Sequence, residues 1–216
     1  MTVRRQQSGF TLVEMAVVLL ILGLLLAGLL QPLANRMEQS RRQETVAAMD
    51  QIREALVGHA LVNGRLPCPD TTGDGLEDSC DSNEDVVNAG TLPWATLGVT
   101  GTDAWGRSFL YAVNGAFTVA FDLDTEGENG GVLSVYASAG GNCSGGGAVA
   151  DNVPAVVVST AKTEAGSSDE QENRDGDRCF VSRDYSRVSG AEFDDLVSWL
   201  APGILFNRMV AAGRLP

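Results

Sequence analysis

The chain is predicted to fold as an α+β protein: a long N-terminal helix, transmembrane then amphipathic, packed on an antiparallel β-sheet head, with a C-terminal helical extension. Three observations predict this class. Residues 10–30 form an almost unbroken apolar run, residues 46–60 carry apolar side chains at three- and four-residue spacing, and beyond Leu66 the sequence changes to short β-rich runs separated by Gly, Asn and Asp. The predicted boundaries are 1–9 for a short basic leader, 10–31 for the apolar half of the helix and 32–63 for its amphipathic half. Residues 64–188 form the head and 189–216 the extension.

The apolar run comes first because it decides the compartment. Phe10–Leu30 is 21 residues long, contains 14 Phe, Leu, Ile and Val residues, and is interrupted only by Thr11 and Glu14. That length spans a bilayer as a helix. The 14 residues favour insertion by about 6 kcal/mol in sum, against a cost of roughly 3 kcal/mol for a central carboxylate. Insertion wins, and Arg4 and Arg5 hold the amino terminus on the cytoplasmic side. The run is too long for the apolar core of a secretory signal, Pro32 stands where a small residue is wanted before a cut near Ala34, and no lipidation cysteine follows. A plain signal anchor explains everything except Glu14.

Val46, Met49, Ile52, Leu56 and Ala60 define one face of the second half, with Arg42, Glu44, Asp50, Arg53 and Glu54 elsewhere. Asn63-Gly64 and Pro67 predict the C-terminus. A helix over 10–62 would be about 80 Å long. Gly23, Gly28 and Pro32 are either tolerated membrane-helix residues or a segment able to melt or kink.

In the head, Ser108–Val113, Phe117–Leu123, Val132–Ala137 and Ala155–Ser159 read as strands, with a hairpin turn at Asn114-Gly115. Residues 164–178 have almost no apolar side chain and read as a loop. Trp94 and Trp105 read as core aromatics. Ser189 is placed to cap a helix with Phe193, Leu196, Val197 and Leu200 on one face, and Pro202 to start a second.

Four cysteines, Cys68, Cys80, Cys143 and Cys179, all follow the apolar run. An even count beyond a membrane-targeting segment reads as two disulfides in an oxidising compartment. Cys68–Cys80 with Cys143–Cys179 is favoured over the two other pairings, because near neighbours in sequence meet most often. Without the leader, 13 basic face 28 acidic residues, a formal −15. Such a surface repels phosphate backbones, so no direct nucleic-acid partner is expected. Asp122, Asp124, Glu126, Glu128 and Asn129 alternate oxygen ligands and form a candidate calcium loop; Asp70, Asp74, Glu77 and Asp78 form a second acidic group within the Cys68–Cys80 loop. His59 stands apart from any nucleophile and Gly145-Gly146-Gly147 lacks a phosphate-binding lysine, so no enzyme activity is expected.

Gly9-Phe10-Thr11-Leu12-Val13-Glu14, behind a basic leader and before a 21-residue apolar run, resembles the cleavage and methylation site of type IV prepilins and type II secretion pseudopilins. The Asp103-Ala104-Trp105-Gly106 segment with Tyr111 is similar to major pseudopilins. Gly64-Arg65-Leu66-Pro67-Cys68-Pro69 and Leu92-Pro93-Trp94 resemble pilin-like heads. The resemblance implies a cut between Gly9 and Phe10 by a membrane-embedded prepilin peptidase and N-methylation of Phe10. It also implies that Glu14 neutralises a neighbouring subunit's amine during assembly. The implied partners are that peptidase, other pilin or pseudopilin subunits, the inner-membrane assembly platform, and membrane lipid before assembly. The implied location is the bacterial inner membrane with the head in the periplasm, then a periplasmic or cell-surface filament. Some pseudopilins hold calcium in a comparable loop. The carboxyl extension, absent from the simplest major pseudopilins, points to a minor or priming subunit. The alternative is a singly anchored periplasmic calcium-binding or scaffolding protein that does not polymerise.

Overall fold

The structure, a computed structural model, describes residue 9 and residues 11–122, 132–138, 147–163 and 166–215, with the side chains of 26–34 outside that set. The chain divides into two compact units, Met1–Arg41 and Arg42–Pro216. Helix α1 runs from Leu12 to Asn63. Within the first unit, every described side chain from 11 to 25 is exposed, including Leu12, Leu19, Leu20, Leu24 and Leu25. Among the described residues no helix is long and apolar enough to cross a membrane; residues 26–30, the last part of the apolar run, are outside that description at side-chain level.

In the second unit, α1 buries Met49, Ile52, Leu56, Val57 and Ala60. The face is rotated slightly from the predicted one: Thr45 is buried and Val46 is exposed. Thr45 Oγ1 accepts the Ala104 N–H at 3.2 Å, a bond valine cannot make. The helix ends at Gly64, whose φ of 75° suits a residue without Cβ. His59 Nδ1 lies 3.0 Å from the Arg65 carbonyl beside that end.

Two sheets follow. The larger has the order β1 (Val87–Thr91), β2 (Leu110–Asn114), β5 (Ala155–Ser159), β7 (Leu196–Leu200), all antiparallel. The smaller has the order β4 (Ala148–Val153), β3 (Leu133–Tyr136), β6 (Cys179–Val181), with β3 and β6 parallel. The larger sheet has two dry faces. Tyr111, Val113, Ala155 and Val157 join the α1 core with Leu205, Phe206 and Met209 of α4 (Pro202–Ala211), while Ala112, Val156 and Val158 meet Leu133, Val135 and Phe180 of the smaller sheet. The layers are thus helix, sheet and sheet, and burial on both faces accounts for the continuous Val-rich run of β5.

Several elements differ from the sequence expectation. The described part of the predicted strand Phe117–Leu123, residues 117–122, is not a strand. Asn114 accepts the Ala116 N–H and caps a 3-10 turn over Gly115–Thr118, which buries Phe117 against Phe121 and Phe206. Leu196–Leu200 is a strand rather than a helix, because β5 has an open edge that pairs with it over five residues. Only the segment from Pro202 is helical, and it lies on the core. Within 164–178, Ser168–Glu172 forms a short helix, α3, closed by a Ser167/Glu170 capping box. Trp94, at the start of the short helix α2 (Trp94–Leu97), is 42% exposed and not a core residue. Its indole lies against Gly75 and Gly101, where an added Cβ would come within 2.3 Å and 2.6 Å of the ring.

Candidate functional site

Three places carry the residues singled out by the sequence. The first is the start of α1. Gly9 is exposed and precedes the helix; Phe10 lies outside the described residues. Among the described residues the hydrogen-bond ladder begins at Thr11, whose carbonyl accepts the Met15 N–H at 3.2 Å. Thr11 and Glu14 exchange bonds: Thr11 Oγ1 accepts the Glu14 N–H at 3.2 Å, and Glu14 Oε2 accepts the Thr11 N–H at 3.4 Å. This is the T-x-x-E pattern of a reciprocal helix cap. The sequence reading of Glu14 noticed its cost in the membrane and missed its spacing from Thr11, which was the available signal.

The second place is the loop bracketed by Cys68 and Cys80, which are disulfide-bonded. Its carboxylates point at protein donors. Asp70, buried, accepts the N–H groups of Thr72 at 3.0 Å, Gly73 at 2.6 Å and Gly75 at 2.7 Å. Burial alone would raise the Asp70 carboxyl, but those bonds from Gly73, Gly75 and Thr72 outweigh it and hold the group below the usual carboxylate range. Glu77 takes Arg65 in two bonds of 2.8 Å and the Cys68 N–H at 3.2 Å, and Arg65 is the main reason its carboxyl is lowered. Asp78 accepts the Thr71 hydroxyl and N–H, both at 2.7 Å, and is lowered by them. Of the second acidic group, Asp70, Glu77 and Asp78 thus give oxygens to shaping the loop, and Asp74 Oδ1 accepts the Leu76 N–H at 2.9 Å. Tyr111, fully buried, donates its hydroxyl to the Pro67 carbonyl at 3.1 Å, and burial pushes it well above the ordinary phenol range.

The third place was not foreseen. Glu170 of α3 and Asp194 and Asp195 before β7 are all buried, with one oxygen of each within 4.8 Å of the others. Glu170 Oε1 accepts the Asp194 N–H at 2.8 Å and its Oε2 accepts the Gly166 N–H at 2.6 Å. Asp194 Oδ2 accepts the Thr163 N–H at 3.1 Å and Asp195 Oδ2 accepts Asn173 Nδ2 at 2.9 Å. Asp194 Oδ1 and Asp195 Oδ1 are buried without a hydrogen-bond partner. The nearest counter-charge is Arg174, 3.8 Å from Asp195. Burial pushes the Asp195 carboxyl up to about 7, against the pull of Asn173 and Arg174 and with help from the Glu170 and Asp194 charges; burial likewise raises Asp194. Two orphan oxygens among three close carboxylates can take up a proton or a hard cation. The two aspartates are adjacent in sequence and could have been read as a pair, but nothing local links them to Glu170.

Of the calcium loop Asp122, Asp124, Glu126, Glu128 and Asn129, only Asp122 is among the described residues, exposed and at the end of a described segment. Cys179 is disulfide-bonded, and Cys143, its expected partner, lies outside the described residues.

Comparison with known proteins reads the same segments. Residues 4–30 match the prokaryotic N-terminal methylation motif, and residues 32–134 match the type II secretion system (T2SS), protein G family. The second match ends at residue 134, before β4, β5, α3, β6, β7 and α4. The chain is 32% identical to the type II secretion system core protein G of Escherichia coli K12 over 133 residues, covering 58% of this chain and 84% of that one. It is 31% identical to the core protein G of Pseudomonas aeruginosa over 134 residues, covering 59% and 90% respectively. A 38% identical stretch of 74 residues aligns with the Aeromonas hydrophila core protein G, 34% of this chain and half the length of that relative. No solved structure matches the chain. The relatives are named core proteins, which corrects the expectation of a minor or priming subunit. The chain belongs to the type II secretion protein G family, behind a prokaryotic N-terminal methylation motif.

Proposed function

We propose that this protein is a structural subunit of a type II secretion pseudopilus. The observation that carries the reading is the start of α1. A continuous exposed apolar surface follows Gly-Phe-Thr-Leu-Val-Glu directly, and no described part of the chain covers it. Such a surface needs lipid or other subunits. Residues 1–9 are the leader, cut between Gly9 and Phe10 by a prepilin peptidase, after which Phe10 is methylated. Residues 10–31 hold the chain in the inner membrane as a single pass with the head periplasmic, then pack between subunits in the filament. Residues 32–63, the head 64–188 and the extension 189–216 form the subunit's body. Glu14 offsets the new ammonium, since each charge is costly in low dielectric and pairing recovers much of that cost. Cys143–Cys179 closes the second half of the head. Calcium belongs to the same reading, at Asp122, Asp124, Glu126, Glu128 and Asn129. Glu170, Asp194 and Asp195 are the described donors that fit such an ion, which would offset three buried carboxylate charges. The chain works as a building block rather than as an enzyme.

N-terminal sequencing and intact mass of the membrane-extracted protein, with and without a prepilin peptidase, test the reading. A product beginning at Phe10 with one added methyl, formed only with the peptidase, is expected. An uncut chain in the peptidase's presence would sink it and leave the anchored, non-polymerising module.

A further inference from the structure

We infer that neighbouring copies of this chain join side to side through opposite ends of the larger sheet, the acidic corner 81–85 of one copy seating in the groove beside β7 of the next. The inference rests on the pseudopilus reading above and names a head contact for it. β7 is the last strand of its sheet, and among the described residues no backbone group of Leu196–Leu200 bonds anything but β5. The Asn114 N–H donates to the Pro154 carbonyl at 3.0 Å. By antiparallel alternation Leu196, Ser198 and Leu200 then face β5, while Val197 and Trp199 turn their N–H and C=O groups outward. An open edge of this kind is a docking template. Beside it lies a cavity of about 500 Å³, lined by Val57, Trp199 and Ile204 and by Arg53, Glu54 and Arg208. Arg208 stands 3.8 Å from Glu54, both side chains more than half exposed, and Arg53 holds the exposed Asp50 at 2.8 Å. Such surface pairs contribute little, so both arginines can take a new partner at small cost. The groove thus offers an anion two guanidinium groups and two edge N–H groups.

The distribution of charge says what fills it. Between Arg65 and Arg107 the chain carries eight acids and no Lys, Arg or His. Asp70, Glu77 and Asp78 are spent on donors of their own loop, but Glu84 and Asp85 are exposed, and their carboxylates receive no donor among the described residues. The backbone beneath them is fixed. Asn114 Nδ2 donates to the Glu84 carbonyl at 2.8 Å, an Arg178 nitrogen donates to the Asp85 carbonyl at 2.7 Å, and Asp81 and Asn83 each accept the N–H two residues on at 2.9 Å. The corner is therefore a preformed anionic knob. Strand register sets its height: Val87 pairs with Asn114, Val113 with Ala155, and Ala155 with Leu200, so the corner and the groove lie toward the same end of the sheet on opposite edges. Copies standing parallel then meet corner to groove, with complementary charge fixing the register. Because the two surfaces differ, each copy keeps one of each free, and the contact repeats along an open filament.

The test uses the full chain, co-expressed with a prepilin peptidase and a type II secretion assembly platform, and reads the sedimentable fraction and its non-reducing gel. Glu84→Cys/Arg208→Cys on one chain should give a ladder of disulfide-linked dimers, trimers and larger species, and either single variant less than about a tenth of it. No free cysteine among the described residues competes. Arg53→Glu/Arg208→Glu and Glu84→Arg/Asp85→Arg should each lower the sedimentable fraction about fivefold, and a chain carrying all four reversals should return to within about twofold of wild type. A chain that merely folded badly would not be rescued this way. A ladder no stronger than in the single variants, a dimer as abundant from Arg208→Cys alone, or a fourfold reversal as poor as the double ones overturns the inference and leaves the pseudopilus reading standing. A wild-type chain that never sediments overturns that reading itself.

Discussion

Two acidic regions of the head differ in how their carboxylates are satisfied. In the Cys68–Cys80 loop, Asp70 is buried yet lowered, because three backbone N–H groups converge on it within five residues of sequence. In the Glu170–Asp194–Asp195 cluster, Asp195 is raised to about 7 by burial, which Asn173 and an Arg174 3.8 Å away do not outweigh and to which the neighbouring carboxylates add. Burial raises both carboxyls, and only at Asp70 do the bonds from Gly73, Gly75 and Thr72 outweigh it. The first region spends its carboxylate oxygens on backbone donors, and the second leaves Asp194 Oδ1 and Asp195 Oδ1 without a hydrogen-bond partner.

The comparison breaks most readily at Asp70. Asp70→Asn keeps one acceptor but turns an amide toward the N–H groups of the loop, so it should cost about 2–4 kcal/mol in urea unfolding of the full chain in detergent. A loss under 1 kcal/mol would mean the disulfide and Gly turns hold the loop without the carboxylate.

Next in size is pH. A carboxyl raised in the folded state binds a proton that the unfolded chain has released between pH 4 and 7. Over that window Asp195 therefore makes stability fall as pH rises, by a few kcal/mol at most. Asp70, Glu77 and Asp78 act oppositely: lowered carboxyls contribute stability above pH 4 that is lost as pH falls below it. Thermal melts should then be highest on the mildly acidic side, and Asp195→Asn should flatten the decline up to about pH 7 while leaving the acid limb unchanged. Millimolar calcium sharpens the same point. It should raise the melting temperature by several degrees at pH 8, less at pH 5, and not at all in Asp194→Asn/Asp195→Asn. An equal shift in that double variant would place the ion elsewhere.

The smallest expected effect is at Arg65. Its paired, half-exposed bond to Glu77 should be worth about 1 kcal/mol in a double-mutant cycle; a value near 3 would make the loop's ion pair as important as its backbone bonds.

Much of the architecture was legible because it is local. The helix over α1, its Gly64 stop, the Val-rich β5 and the Cys68–Cys80 bridge all follow from spacing, a turn residue or short sequence separation. The segments that misled were those whose partner is remote. Leu196–Leu200 has the spacing of a helix face, and only the free edge of β5 makes it a strand. Phe117 looked like the start of a strand, but aromatic packing on Phe121 and Phe206 selected a 3-10 turn. Trp94 looked like core, but two glycines flank its ring at the surface.

By itself, the sequence determined the leader, the apolar run, the Gly9–Glu14 signal and the two-part helix, since each is written in consecutive residues and needs no partner. Only the tertiary structure decided which acids are satisfied and which are not. Asp70 finds its donors within its own turn, whereas Glu170 meets Asp194 and Asp195 across 24 residues through the Asp194 N–H, a closure that local pattern cannot encode.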